Sequence, residues 1–80
     1  MITVLFFASL REDVGHAALT VAADSTDALI DALEDVLSTE GYAAVREPNV
    51  RIAVNQTLIE GNTQLSPGDE VAFLPPVTGG

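Results

Sequence analysis

Gly68-Asp-Glu-Val-Ala-Phe-Leu-Pro-Pro-Val-Thr-Gly-Gly80 closes the sequence and decides its fold. Val71 to Leu74 combine β-branched, aromatic and aliphatic side chains, which is typical of a buried strand. Pro75 and Pro76 end the strand and exclude a helix, because proline has no backbone N–H to donate. We therefore expect residues 1–75 to form a folded domain and residues 76–80 to form a flexible Gly-Gly tail.

The tail is narrow as well as flexible. Val77 and Thr78 favour an extended backbone, while Gly79 and Gly80 have no side chains. Such a tail can carry its terminal carboxylate into a channel too narrow for other residues. A Gly-Gly ending alone is weak evidence of function, since chain ends are commonly small and loose. The two prolines favour a functional tail, because a frayed end has no need of stiffening.

Composition limits the chemistry that the chain can perform by itself. At 80 residues and 48% hydrophobic content, the sequence predicts one domain with a single core. Without cysteine it has no disulfide, thiolate metal site or thiol nucleophile. The lone His16 has no second histidine to share a metal, so no metal site is predicted. No apolar run approaches the roughly 18–20 residues of a membrane helix, and we expect a cytoplasmic protein without membrane contact.

The charge balance is strongly acidic and indicates which partners to expect. Twelve acidic residues face three arginines and no lysine, for a formal net charge of −9. Nucleic acid is excluded as a partner, because its binding depends on cations that neutralise phosphates. A partner with a basic surface is favoured instead. Alternatively, the acids serve solubility, for example in a salt-rich cytoplasm, and the sequence leaves both interpretations open.

The first third of the chain predicts a hairpin. Ile2 to Ala8 alternates as a strand, but both of its faces are apolar. One face must meet the core, and the other is either covered or forms a patch for a partner near Phe7. Polar residues 9–16 predict a loop, and residues 18–21 predict the second strand.

The middle of the chain predicts one main helix. Residues 24–27 offer N-cap candidates, and apolar side chains then recur at helical spacing up to Leu37. We expect a helix from about Thr26 to Glu40, ended by Gly41 as its C′ residue. Its outward face carries acids at successive i,i+4 positions, namely Asp27, Asp31 and Asp35.

The remainder predicts three strands joined by turns. Residues 43–49 predict a loop, and strands follow at residues 50–54 and 58–59. Leu65 is expected to anchor the next polar loop in the core. Ser66-Pro67-Gly68-Asp69 has the type II turn pattern and leads into the last strand. The order of elements predicts an α+β fold, with a mixed sheet of four to five strands and one main helix packed on one face.

The sequence resembles the small sulfur-carrier subunits of molybdopterin synthase, a ubiquitin-like family. The resemblance covers nearly the whole chain and is densest at Val4-Leu-Phe-Phe-Ala8, Arg11-Glu12, Val54-Asn-Gln-Thr-Leu58 and Gly68 to Gly80. It implies the β-grasp fold, in which the first and last strands lie parallel at the centre of the sheet. One departure is Leu74, where family members often have a second phenylalanine, and this concerns the shape of the partner's pocket.

The resemblance also implies a function for the tail. A free carboxylate, with a pKa of about 3.5, is ionised and a poor electrophile, so Gly80 must first be activated. An adenylating enzyme of the ubiquitin-activating type would do this with ATP. Sulfur then replaces AMP, and the resulting thiocarboxylate donates its sulfur to a cyclic pyranopterin phosphate in the large catalytic subunit. The chain would bind no cofactor itself and would not be catalytic alone.

The resemblance further assigns the residues involved. Gly80 is the reactive residue, and the rest of the tail segment, Pro75, Pro76, Val77, Thr78 and Gly79, delivers it. The surface that contacts the large subunit is expected at Phe7, Arg11, Leu58 and Leu74. Three alternatives stay open: a ubiquitin-like modifier joined through Gly80 to target lysines, a sulfur carrier for another pathway such as thiazole synthesis, and an interaction module with an inert tail.

Overall fold

A computed structural model of the chain describes residues 1–76, and Val77–Gly80 lie outside the described part. The structure contains five strands, which are β1 (Ile2–Phe6), β2 (Ala18–Val21), β3 (Arg51–Val54), β4 (Thr57–Ile59) and β5 (Glu70–Leu74). It also contains three helices, which are α1 (Ser9–Val14), α2 (Thr26–Val36) and α3 (Thr39–Val45).

The strands form one mixed sheet in the order β2-β1-β5-β3-β4. β1 and β5 are parallel neighbours at its centre, with Val4 opposite Val71 and Phe6 opposite Phe73. β2 is antiparallel to β1, β3 is antiparallel to β5, and β4 is antiparallel to β3. The predicted α+β class, the β-grasp arrangement and the parallel pairing of the first and last strands are therefore confirmed.

The core lies between the helices and one face of this sheet. Alternate residues of β1 and β5 point into it, and Val4, Val71 and Phe73 are fully buried. Leu29 and Leu33 of α2 are also fully buried, as the helical spacing of the apolar residues predicts. Leu65 is 7% exposed, so its prediction as a core anchor is confirmed.

The loop predicted at residues 9–16 is wrong, because α1 occupies most of it. Leu10 and Val14 lie four residues apart, so one turn of helix places both side chains in the core. Gly15 ends the helix in the left-handed conformation, with φ 78°, and its N–H donates to the carbonyl of Arg11. Glycine adopts this conformation without steric cost.

The long helix predicted from Thr26 to Glu40 is in fact two helices. Leu37 adopts an extended backbone, and Ser38 caps α3 by accepting a hydrogen bond from the Gly41 N–H. Gly41 therefore lies inside α3 instead of ending α2, and the loop predicted at residues 43–49 begins too early. A Cβ at Gly41 would lie 3.2 Å from the Val14 Cα, so the missing side chain lets α3 pack closely on α1.

The turns fix the remaining register. Asn55 and Gln56 join β3 to β4 with φ values of 50° and 70°, which is the two-residue hairpin geometry. Gly68 has φ 91°, in agreement with its predicted place in the turn before β5. The proposed domain boundary at residue 75 stays a prediction. Within residues 1–76, no helix has the length and apolar character needed to cross a membrane.

Candidate functional site

An apolar cavity of about 470 Å³ lies on the face of the sheet opposite the core. It joins the end of β1, the last strand and the β3–β4 hairpin. We call it the apolar cavity; its lining residues are Phe7, Ala53, Gln56, Leu58, Glu70, Ala72 and Leu74.

Strand alternation explains why these side chains share one face. In β5, Ala72 and Leu74 alternate with the core residues Val71 and Phe73. Ala72 lies opposite Ala53 of β3, which in turn lies opposite Leu58 of β4. The two alanines are short and form the floor, while the larger side chains form the walls.

Two of the wall residues expose much of their apolar surface. Phe7 is 38% exposed and Leu58 is 54% exposed, whereas Ala72 on the floor is 7% exposed. Large exposed apolar side chains around a concave surface are typical of a site for a protein partner. Phe7 directly follows β1, and Leu58 lies on β4, which is an edge strand of the sheet.

A tight turn holds Phe7 at the cavity. Its N–H donates to the Phe73 carbonyl at 3.2 Å, and its carbonyl accepts from the Leu10 N–H at 3.1 Å. Between them Ala8 has φ 52° and ψ −129°, the first central position of a type II′ turn. Glycine is preferred at this position, because a Cβ there strains the backbone. The chain accepts this strain where β1 passes directly into α1.

Hydrogen bonds hold the hairpin turn on the other side of the cavity. The Asn55 side chain donates to Asp69 Oδ1 at 3.1 Å and accepts from the Glu70 N–H at 3.0 Å. Asp69 Oδ2 accepts from the Ser66 N–H at 2.8 Å. The hydrogen bond from Ser66 lowers the pKa of Asp69, and the hydrogen bond from Asn55 lowers it further by a smaller amount. Desolvation raises this pKa, but its effect is smaller than either hydrogen bond. This network ties the turn that carries Gln56 and Leu58 to the segment before β5.

The structure brings together three of the four residues expected at the partner surface. Phe7, Leu58 and Leu74 all line the apolar cavity. Arg11 is exposed on α1 and is not among the lining residues. Pro75 is half-buried and Pro76 exposed, directly after Leu74. The predictions for Val77, Thr78, Gly79 and Gly80 lie outside the described residues.

Sequence reasoning missed the floor and part of the wall of the cavity. Alternation along β5 was a sufficient signal for Ala72 and Glu70, because they share a face with Leu74. Ala53 and Gln56 required the register of β3 and β4, which periodicity does not provide.

The apolar cavity has the character of a docking surface, with large exposed apolar side chains around a concave floor. Residues 1–76 contain no cluster of three or more histidine, aspartate or glutamate side chains placed to hold a metal ion. The geometry therefore favours contact with a partner at the point where β5 passes into Pro75 and Pro76.

Comparison with known proteins gives a consistent result. Residues 4–80 match the ThiS family. The chain is 46% identical, over 83 aligned residues that cover 100% of both proteins, to the molybdopterin synthase sulfur carrier subunit of Escherichia coli strain K12.

Solved structures agree with the sequence match. The solution structure of small archaeal modifier protein 1 from Methanosarcina acetivorans is similar, with a TM-score of 0.80, 28% identity and coverage of 99% of this chain and 95% of that one. The complex of subunits 1 and 2 of the molybdopterin-converting factor from Helicobacter pylori 26695 contains a chain with a TM-score of 0.74 and 30% identity. That match covers 99% of this chain and 97% of the other, and the similar chain in this complex is bound to a partner subunit.

Proposed function

This chain belongs to the ThiS family, and on that basis we propose that it is the sulfur carrier subunit of a molybdopterin synthase. In this function its terminal carboxylate holds sulfur as a thiocarboxylate and delivers it to the synthase's large subunit. The 46% identity over the full length of a carrier with this name supports the proposal.

The observation that carries the proposal is the position of the tail's origin. β5 is a central strand with neighbours on both sides, so Leu74 is held firmly at its end. Leu74 lines the apolar cavity, and Pro75 follows it directly. A partner that docks on the cavity therefore receives the tail at a fixed point of its own surface.

The chemistry requires activation before sulfur transfer. An oxygen of the Gly80 carboxylate attacks the α-phosphate of ATP, which releases pyrophosphate and leaves an acyl-adenylate. A nucleophilic sulfur supplied by a sulfide donor then attacks the carbonyl carbon, and AMP departs with the bonding electrons. The product is a thiocarboxylate, and two loaded carriers supply the two sulfur atoms of one dithiolene.

Two partners follow from this sequence of steps. The first is the large synthase subunit, and the two-subunit complex of the Helicobacter pylori relative supports a partner of this kind. The second is an ATP-dependent adenylating enzyme of the ubiquitin-activating type. ATP is a substrate of that enzyme and not a cofactor of this chain. Because activation consumes ATP, the proposal places this step in the cytoplasm.

Intact mass spectrometry tests the proposal directly. The chain is incubated with ATP, a sulfide donor and the activating enzyme, beside a control that lacks Gly80. We expect the full chain to exchange one oxygen atom for sulfur and the control to stay unchanged. An unchanged full chain contradicts the proposal and favours an interaction module with an inert tail.

Two further incubations separate the carrier from the alternative functions, and the first concerns a protein modifier. The similarity to small archaeal modifier protein 1 is the observation that favours this second function. In a lysate that contains target proteins, a modifier yields conjugates joined through Gly80 to lysine, which are far heavier than the free chain. Supplying the loaded chain to a large subunit with the cyclic pyranopterin phosphate should form the dithiolene, whereas a carrier for thiazole synthesis leaves that substrate unchanged.

A further inference from the structure

We propose that a second surface beside the tail's origin, an acidic groove, receives a lysine or arginine side chain of the enzyme that activates Gly80. The groove has a volume of about 260 Å³. Its lining includes Leu10, Asp13, Glu47, Val50, Pro75 and Pro76. The proposal rests on the proposed function, because it concerns the enzyme that adenylates the tail.

The groove and the apolar cavity lie on two sides of the same end of the sheet. β1 and β5 are parallel neighbours, so their C-terminal ends lie at the same end of the sheet. Phe7 and Leu74 at these ends line the apolar cavity, whereas Leu10 and Pro75, which follow them, line the acidic groove. The chain therefore leaves the fold between an apolar surface and an acidic one.

The two acidic residues of the groove lie on backbone with defined hydrogen bonds. Asp13 lies in α1, which packs on α3 where Gly41 permits close approach. Glu47 lies in a turn closed by the Val50 N–H, which donates to the Glu47 carbonyl at 3.1 Å. Both side chains are exposed and therefore open to a partner. A cation that enters the groove would therefore meet two solvent-accessible carboxylates.

The length of the tail requires an activating enzyme to come close to this groove. Four residues follow Pro76. Fully extended, they span at most about 14 Å, at about 3.3–3.6 Å per residue. An enzyme that reacts with the carboxylate of Gly80 must therefore place its active site within that distance of Pro76, which itself lines the groove.

Charge complementarity indicates which kind of side chain meets the groove. An enzyme that brings ATP to a carboxylate needs cationic groups around the triphosphate, so its surface near the tail channel is expected to be positive. The carrier has a net charge of −9, and the groove places two of its acids next to the tail's origin. Complementary charge at that point would guide the tail towards the nucleotide.

Kinetics with a matched pair of variants tests the proposal. Asp13→Asn/Glu47→Gln removes two charges from the groove, and Asp31→Asn/Asp35→Asn removes two from the exposed face of α2. Pyrophosphate release by the activating enzyme is measured against carrier concentration, with the thermal melting of each variant as a folding control. We expect the groove variant to raise KM for the carrier about three- to tenfold with kcat unchanged, and the helix variant to change KM less than about twofold.

Three other results would contradict the proposal on the acidic groove or the proposed function itself. Equal KM values for the two variants overturn the proposal, since net charge alone then guides the encounter. A groove variant that binds the large subunit more weakly, while activation is unchanged, overturns it by assigning the groove to that subunit. If the double variant unfolds, Glu47→Gln alone serves as the test, because residue 47 lies outside the helices. If the unmodified chain releases no pyrophosphate, the proposed function fails together with this one.

Discussion

Phe6 and Phe73 stack across the parallel β1–β5 pair, with ring centroids 5.7 Å apart and an angle of 22° between the ring planes. Both rings are buried in the core. The next residue, Phe7, points to the opposite face and lines the apolar cavity. Phe6, the last residue of β1, thus contributes to the core, whereas Phe7, which follows it, lies at the proposed docking surface.

Phe7→Ala should weaken binding to the large subunit about tenfold or more, because burial of a large apolar side chain contributes about 1.5–3 kcal/mol. Titration calorimetry measures the Kd. Val36→Ala is the matched control, since Val36 is a similarly exposed apolar residue on α2. Phe6→Ala should instead cost about 3–5 kcal/mol of folding free energy. Lower stability of Phe7→Ala, with unchanged binding by the folded fraction, would show that Phe7 is a core residue.

Ala8→Gly should raise the melting temperature. Glycine removes a backbone strain of about 1–3 kcal/mol at φ 52° and ψ −129°. It also stabilises the unfolded chain by about 0.4–1 kcal/mol, because it raises the conformational entropy of that state, and this cost is smaller than the relieved strain. A net gain of about 1 kcal/mol corresponds to about 4–8 °C for a domain of this size. Ala43→Gly, in the exposed part of α3, is the control and should lower stability. A fall in both variants would mean that Ala8 is unstrained.

Asp69→Asn should remove a pH-dependent part of the stability. The pKa of Asp69 is lowered from 3.8 in the folded state, so its stabilising effect is present above that value. It is lost as the pH falls through the lower, folded-state pKa. Melting curves from neutral to strongly acidic pH should show a gap between the two proteins that closes only in acid. A gap independent of pH would assign the effect to hydrogen-bond geometry and not to charge.

Sodium chloride should raise the melting temperature of the chain. Asp27, Asp31 and Asp35 are all exposed along α2, and each adjacent pair costs about 0.2–0.5 kcal/mol by repulsion. Salt at about 1 M shortens the screening length to about 3 Å and relieves that repulsion. Sodium chloride is preferred over sulfate, which also strengthens apolar burial. An unchanged or lower melting temperature would show that the acids are already compensated.

One alanine added after Gly80 should abolish both adenylation and sulfur transfer. It moves the terminal carboxylate by up to about 3.5 Å, and reacting atoms need placement within about 3–3.5 Å. Thiocarboxylate formation is measured by intact mass. The extended chain should still bind the large subunit through the apolar cavity and should therefore inhibit the normal carrier competitively. Sulfur transfer by the extended chain would show that the carboxylate of Gly80 is not the reactive group.

The strands were predictable because their signals are local. The alternation of side chains in Ile2–Phe6 predicts β1, and the β-branched and aromatic run predicts β5. Gly68 marks the turn that precedes β5. The parallel pairing of β1 with β5 came from the family resemblance, since no local pattern encodes which distant strands become neighbours.

The helices were predicted less well, for two physical reasons. α1 buries only Leu10 and Val14, which is too few residues to show a helical period. Leu37 fits the apolar stripe of α2, although its backbone has left the helix, and Ser38 then begins a new one. Of the site, Phe7, Leu58 and Leu74 were predicted from the resemblance, whereas the alanine floor depends on strand register.

The parallel contact between β1 and β5 also constrains how the chain reaches this structure. The β3–β4 hairpin needs only a two-residue turn, and β2 follows β1 after a short segment, so both can form early. The central pair must wait until more than sixty intervening residues close into a loop. Until then the facing edges of β1 and β5 stay unpaired, and the apolar side chains of these two strands stay partly in contact with water. We therefore expect closure of the sheet's centre to limit the folding rate and to be the stage most prone to aggregation.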